Sequence, residues 1–319
     1  GASMGINCYA EGTCIAKNNI AQKFSGTYDA ASDYNLSFTT NLPGGTNDVG
    51  DSSVMFRNEA NFDLRLSPRD KNARAKGGDL SADVNFAFSQ DILGKTRVTW
   101  DRGAHQAPIG IYRSVGPTNT TSLQVGTGND LTISNTIATF ASAIINKVGV
   151  GDVIEYDRSG DGSVDSLMFI KERIDAQNYI VQNNNGSDVS DLATADQDWS
   201  IFRAYTSLAA AESGDENIGI NASLRDFDTW VDGRDLLTNN EEWNIILYAD
   251  GVDSQVIIQD WVTSNSNQLN IYTPVNLNEV GISQRHNGRW TQAAYTIVGS
   301  VANSGTLALR GNLAATRIE

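Results

Sequence analysis

The stretch VIEYDRSGDGSVDSLMFIK, residues 153–171, decides the fold class. Two short apolar runs flank a loop of Asp, Gly and Ser, and this order is typical of a β-hairpin. The loop, residues 157–165, carries oxygen-bearing side chains at near-alternating positions around Gly162. We therefore predict a hairpin over 153–171 whose loop can gather several oxygens around one hard cation, with calcium as the first candidate.

Alternation of apolar and polar residues continues along most of the chain and is typical of half-buried strands. Such runs occur at 34–38, 54–56, 62–66, 84–88, 244–248, 255–259, 268–272 and 294–298. Clusters of Asn, Asp and Gly separate them and supply turns. The pattern predicts an all-β protein.

Three segments organise the chain. Residues 4–115 are predicted to form an antiparallel, sandwich-like β domain, and the Thr-, Gly- and Asn-rich residues 116–130 a linker. Residues 131–319 are predicted to form a second β-rich domain, whose late strands suit either a sandwich or the coils of a β-solenoid. One short helix is expected over Leu208–Glu212, with Thr206 or Ser207 as its N-cap and Gly214 after its end.

Composition excludes some classes of protein. The 319 residues carry a formal net charge of −15, which disfavours nucleic-acid binding because phosphate recognition needs a basic surface. We find no apolar run near the roughly 18 residues of a membrane span. The two cysteines, Cys8 and Cys14, are compatible with a short disulfide and equally with two free thiols.

Six segments distinguish the second half of the chain. They are GVGDVIEYD (149–157), DWSIFRAYTSL (198–208), DLLTNNE (235–241), YAD (248–250), IYTP (271–274) and RHNG (285–288). Together they resemble a module of bacterial exported and surface proteins that is associated with a right-handed parallel β-helix. The resemblance covers roughly residues 149–290. It implies a solenoid-capping architecture and an extracellular or cell-surface location, and it implies no particular chemistry.

The acidic loop resembles the start of an EF-hand register. Asp157, Ser159 and Asp161 fall at positions one, three and five, and Ser163 and Asp165 offer two further oxygens. Position twelve is a methionine, so the bidentate glutamate of an EF-hand is missing. We predict a weak Ca²⁺ site suited to extracellular calcium. A plain Asp-Gly hairpin turn explains the same residues, and both interpretations stay open.

A second candidate site surrounds Trp230, because exposed tryptophans are platforms for sugar rings. Asp228 and Asp232 lie on either side of it, and the three residues are our ligand-binding candidates. We interpret the carboxylates Asp226, Asp228, Asp232 and Asp235 as a solvated face or a second cation site. We assign no catalytic residue, and we interpret His105 and His286 as packing residues of loops.

These features favour an exported, cell-surface structural or adhesive protein that is stabilised by calcium and is not catalytic. The expected partners are a surface polysaccharide or further copies of the chain. One alternative is a polysaccharide-active enzyme, a lyase or a glycosidase, on a β-helix. Another is a self-assembling subunit of a surface layer, a fibre or a viral particle.

Overall fold

The computed structural model describes residues 5–9, 14–228, 230, 233–289, 294–299, 306–310, 313 and 315–319. Within these residues the all-β class is confirmed, since short strands form nearly all of the regular structure. The chain divides into two compact units, 1–108 and 109–319. No helix in the described part is long and apolar enough to cross a bilayer.

The first unit is built from very short strands. They are β1 (Ile6–Asn7), β2 (Ile20–Ala21), β3 (Phe24–Ser25), β4 (Leu36–Ser37), β5 (Phe56–Asn58) and β6 (Asp63–Leu66). β1 pairs with β3, and β2 with β4, in parallel. β5 and β6 form an antiparallel pair, with a 3₁₀ turn at Glu59–Asn61 between them.

Parallel pairing in this unit differs from the antiparallel sandwich expected from the sequence. Leu36 pairs with Ile20 on one side and forms a parallel bridge to Val49 on the other, so successive turns of the chain stack in layers. Alternation of side chains is the same in parallel and antiparallel strands, and therefore it cannot give the direction of pairing.

The strand expected at 84–88 is also wrong. The backbone there forms turns, and Val84 and Phe86 are exposed. The carboxylate of Asp83 accepts hydrogen bonds from the amides of Asn85 and Phe86, at 2.9 and 3.0 Å, which holds the chain in a turn. In the same unit Cys8 and Cys14 form a disulfide with their Cα atoms 5.9 Å apart, which decides between the two thiol states that the sequence left open.

The second unit contains the remaining strands. They are β7 (Ile109–Val115), β8 (Gln124–Val125), β9 (Leu131–Ser134), β10 (Ile137–Phe140), β11 (Val153–Tyr156), β12 (Ser166–Arg173), β13 (Asn178–Gln182), β14 (Leu192–Asp196), β15 (Trp199–Phe202), β16 (Glu241–Leu247), β17 (Val252–Ser254), β18 (Val256–Ile258), β19 (Leu269–Tyr272), β20 (Thr296–Val298), β21 (Leu307–Leu309) and β22 (Thr316–Ile318).

Eight of these strands form one antiparallel sheet in the order β14-β9-β10-β13-β12-β11-β15-β8. The predicted hairpin lies at its centre, where β11 and β12 pair from Val153 with Phe169 to Tyr156 with Ser166. One face of the sheet buries a core that includes Phe140, Tyr179 and Trp199, whose rings meet edge to face. The acidic loop therefore connects two neighbouring central strands of this sheet.

The other strands stack in parallel. β22, β19, β16 and β7 lie side by side in that order, while β17 pairs with β20 and β18 with β21. Strand β7 runs through the end of the segment that the sequence assigned to the first domain, and it pairs along its whole length with β16. These strands are parallel and in register, and the solenoid-capping architecture stays a prediction.

The single predicted helix is confirmed as α1, Leu208–Ser213. The Ser207 hydroxyl accepts a hydrogen bond from the amide of Ala210, and Gly214 adopts the left-handed conformation that ends the helix. Buried Glu212 accepts hydrogen bonds from the Gln259 amide at 2.6 Å and the Trp261 indole at 2.7 Å. The helix is thereby attached to the parallel strands.

Candidate functional site

A cavity of about 210 Å³ lies in the second unit, beside β7 and β16. Its walls combine aromatic rings, side-chain amides and charged groups. The lining residues are Ile111, Asn184, Asn185, Asp226, Phe227, Asp228, Trp230, Arg234, Glu241 and Trp243. Two of the three ligand-binding candidates, Trp230 and Asp228, are therefore brought to one cavity, and Asp232 lies outside the described residues.

The aromatic wall is held by a cluster of three tryptophans. Trp230 and Trp243 meet edge to face with ring centroids 4.6 Å apart, and Trp261 packs 5.7 Å from Trp243. The indole of Trp230 donates to the carbonyl of Glu212 at 3.2 Å, and that of Trp243 to Glu241 at 3.0 Å. Trp243 and Trp261 are buried while Trp230 is half-buried, so Trp230 is the ring with the most surface left for a ligand.

Asp228 is a buried anchor. Nε and Nη2 of Arg113 donate to its two carboxylate oxygens at 2.7 Å each, and the hydroxyl of Tyr205 also donates to it. The Arg113 guanidinium stacks on the ring of Phe169, 3.7 Å from its centroid. Burial, together with the neighbouring Asp228 carboxylate, raises the pKa of Tyr205 far above its usual value. The interpretation of Asp228 as part of a solvated face is thus wrong.

A second ion pair lies on the cavity wall. Arg234 donates to Glu241 from Nε at 2.6 Å and from Nη2 at 2.9 Å. The hydrogen bond to Glu241 raises the pKa of Arg234, so the arginine is fully charged. Its guanidinium also lies 5.5 Å from the ring centroid of Trp230 and 6.0 Å from that of Trp243.

Asp226 differs from the other lining carboxylates. It is exposed, and within the described residues it belongs to no ion pair. Glu216 holds the segment that carries it, because a carboxylate oxygen of Glu216 accepts hydrogen bonds from the amides of Phe227 and Asp228 at 2.6 and 2.8 Å. Burial raises the pKa of Glu216 to about 7 despite these two bonds.

Sequence reasoning missed several residues of this site, including the charged residues Arg113, Arg234 and Glu241. Arg113 offered a signal, because it is a lone charge inside the strand run IGIYRSV, where a buried ion pair is the usual explanation. Glu241 directly follows the turn at residues 236–240, and both it and Glu242 are buried in β16.

The acidic loop is closed by its own hydrogen bonds. Asp157 accepts hydrogen bonds from the amides of Gly160 and Gly162 at 2.7 and 2.6 Å, and from the Ser159 hydroxyl at 3.1 Å. Asp165 accepts from the amides of Arg158 and Ser159 at 2.9 and 3.1 Å.

These contacts keep both carboxylates ionised. Burial alone would raise the pKa of Asp157, but the two glycine amides outweigh it and leave the pKa below its usual value. The amide of Arg158 lowers the pKa of Asp165 in the same direction.

Asp157 and Asp165 thus converge on Ser159, while Asp161 accepts from the amide of Ser163 at 2.9 Å. In the described part of the chain no three acidic, histidine or cysteine side chains are gathered around a common point for a metal. Serine hydroxyls and backbone carbonyls would have to complete a calcium shell, so the Ca²⁺ site stays a prediction.

The first unit contains a larger and more apolar cavity of about 1100 Å³. Phe56, Leu80 and Phe88 are among its walls, and several of its polar side chains have partners within the unit. Lys17, for example, pairs with Asp83, and the Asn18 side chain bonds to the backbone of Gly78 in both directions.

Neither histidine is among the residues that line the small cavity. His105 is buried in the first unit, and neither ring nitrogen has a hydrogen-bond partner among the described residues. His286 is exposed, and its Nδ1 accepts a hydrogen bond from the amide of Gly288 at 3.1 Å. Within the described residues, the hydrogen bond of His286 lies inside its own loop, and His105 packs in the interior.

Comparison of the chain with family models, with curated proteins and with solved structures gave no match. The functional argument therefore depends on the geometry of the cavity at Trp230 and on the chemistry of the groups that line it.

Proposed function

We propose that the protein is an exported, cell-surface adhesive β protein whose second unit binds a saccharide without changing it chemically. The observation that carries this proposal is the cavity lined by Trp230, Trp243 and exposed amides on a β scaffold. Its volume of about 210 Å³ holds on the order of seven waters, which is close to the size of one sugar ring. Apolar faces that stack on the ring, with polar groups for its hydroxyls, are what such a ligand requires.

Binding without catalysis is favoured by the state of the carboxylates. A glycosidase needs two carboxyl groups across the scissile bond, one of them able to donate a proton. Asp228 is paired with Arg113, and Glu241 with Arg234. Asp226 is then the one lining carboxylate without a cationic partner among the described residues, which is too few for that chemistry.

Export is supported by the disulfide between Cys8 and Cys14, because such bonds persist in oxidising compartments. The net charge of −15 suits a solvated outer surface. Calcium at the loop of residues 157–165 would stabilise the folded state by mass action, in proportion to the free ion outside the cell.

A titration of short oligosaccharides against the wild type and Trp230→Ala, followed by calorimetry, tests the proposal. Loss of one stacking face should weaken binding about threefold to tenfold. Trp100→Phe, a change in the first unit, is the matched control and should bind as the wild type does. If no neutral, amino or acidic oligosaccharide binds the wild type, the proposed function is wrong.

A polysaccharide lyase or glycosidase at the same cavity is the second candidate. It is favoured by Arg234, a cation beside the carboxylates of the cavity wall. Incubation with acidic and neutral polysaccharides, followed by detection of new unsaturated or reducing ends, separates it from an adhesin. If the wild type releases either kind of end, the protein is an enzyme and the proposal of a non-catalytic adhesin is wrong.

Self-assembly is the third candidate, and the parallel stack favours it. Within the described residues β22 is an edge strand, and Ile318 on it is exposed. Edge strands offer unpaired backbone groups to other chains. Electron microscopy of concentrated protein with calcium tests this, since ordered polymers would be seen for an assembly subunit and not for a monomeric adhesin.

A further inference from the structure

The charges around the small cavity do not cancel completely. Two cations and three carboxylates are involved. Arg113 is bonded to Asp228 through two oxygens, and Arg234 to Glu241 through two oxygens, so each of these pairs is neutral as a unit. Asp226 is left with one negative charge at the exposed side of the cavity.

We infer that the sugar bound in this cavity carries a protonated amine, as a hexosamine with an unsubstituted amino group does. This inference rests on the saccharide binding proposed above and names its ligand class. An ammonium group would meet the Asp226 carboxylate and the electron-rich faces of the tryptophans. A uronate would meet the same carboxylate as a like charge.

The aromatic faces already accept a cation. The guanidinium of Arg234 lies 5.5 and 6.0 Å from the ring centroids of Trp230 and Trp243, which is the range of cation–π attraction. Glu241 occupies the Nε and Nη2 positions of Arg234, so an anionic sugar would have to share the guanidinium with this carboxylate. An anionic ligand would therefore compete with Glu241 for Arg234 and be repelled by Asp226, whereas a cationic ligand gains the Asp226 carboxylate.

Neutral hydroxyls of the ring have their own partners at the mouth. Asn184 and Asn185 are exposed on the turn that follows β13, and both line the cavity. Their amides can donate and accept, and they are uncharged. They would support any hexose to a similar extent, so the choice of an amino sugar falls to Asp226 and the tryptophans.

The test compares short oligomers of glucosamine, N-acetylglucosamine, glucose and galacturonate by calorimetry at mildly acidic pH, where the free amine is protonated. Glucosamine oligomers should bind the wild type about threefold to tenfold more tightly than the two neutral series at low salt. The preference should shrink as salt is raised, because Asp226 is exposed to the solvent.

Asp226→Asn should lower the affinity for glucosamine oligomers to that for the neutral series and leave the neutral affinities unchanged. Asp51→Asn removes an equal charge from an exposed position in the first unit and is the matched control for general attraction to an acidic protein. Trp230→Ala should weaken all series, which separates the cavity from non-specific binding.

The outcomes are distinct. Equal affinity of wild type for glucosamine and glucose oligomers would overturn the inference and leave saccharide binding intact. Tightest binding of galacturonate would also overturn it and would favour a lyase. If the wild type binds none of the four oligomer series, both the proposed function and this inference are wrong. If Asp226→Asn does not fold, the salt dependence of the wild-type preference decides the question.

Discussion

Replacing Asp228 by asparagine should destabilise the second unit by about 3 kcal/mol, since breaking a buried ion pair leaves an uncompensated charge. The side chain of Arg113 is completely buried, and the substitution removes the negative charge that faces it. Arg113 would keep the carbonyls of Tyr112 and Asn184 at 3.0 Å and its stacking on Phe169. These remaining partners place the cost at the lower end of the range of about 3–5 kcal/mol for buried pairs.

The measurement is urea unfolding followed by tryptophan fluorescence in a Trp100→Phe background. Trp100 is the one tryptophan before residue 109, so the remaining signal reports the second unit alone. Asp226→Asn is the matched control, because it removes the same charge from an exposed position two residues away. It should change the free energy of unfolding by less than about 0.5 kcal/mol.

The double variant Arg113→Met with Asp228→Asn tests whether the two side chains stabilise the fold as a pair. With both charges gone, no isolated buried ion remains, so the loss should be smaller than the sum of the two single losses by about 1–3 kcal/mol. If Asp228→Asn costs no more than Asp226→Asn, or if the single losses simply add, then the pair does not anchor the cavity as described.

Three further results are expected. Millimolar calcium should raise the melting midpoint of the wild type and a chelator should lower it. Asp165→Asn should remove this response. An unchanged midpoint together with no heat of calcium binding would contradict the predicted Ca²⁺ site. Burial lowers the pKa of His105 to about 4, so between pH 6.5 and 4 the unfolded chain binds a proton that the folded chain does not. The free energy of unfolding of the first unit should therefore fall by up to about 3 kcal/mol as pH falls through that window, and His105→Gln should remove this loss. Burial raises the pKa of Asp101 to about 6, which gives the opposite dependence on pH. Because Asp101 is present in both proteins, its contribution cancels when the wild type and the variant are compared. Reduction of the Cys8–Cys14 disulfide should cost about 2 kcal/mol, and a Cys8→Ser, Cys14→Ser variant should be insensitive to reductant; equal stability of the oxidised and reduced wild type would contradict this.

The elements that sequence reasoning predicted well are those fixed by local chemistry. The hairpin of β11 and β12 follows from two apolar runs around a glycine-containing loop, and α1 follows from a serine cap, an alanine run and a terminal glycine. In both cases the deciding groups lie within a few residues of each other. Short-range hydrogen bonding and backbone conformation are sufficient to specify such elements.

Pairing direction and the site depend on contacts that are distant in sequence. Arg113 and Asp228 meet across 115 residues, and nothing in the sequence near either one specifies the other. Trp230 marked the right region because tryptophan is a large ring, yet the neighbouring Asp228 was interpreted as solvated. Burial of a carboxylate depends on a partner that a single sequence does not reveal.

Stability and specificity are assigned to different carboxylates at this cavity. Asp228 and Glu241 form ion pairs with arginines and hold the walls of the cavity in place. Their replacement should therefore lower the stability of the fold more than it changes which ligand binds. Asp226 contributes little to the fold because it is exposed and belongs to no described ion pair. A charge that the fold does not need is available to a ligand. Substitutions at Asp226 should therefore change which sugar binds while the unfolding curve stays where it is, and a joint loss of both properties would mean that the two roles are not separable here.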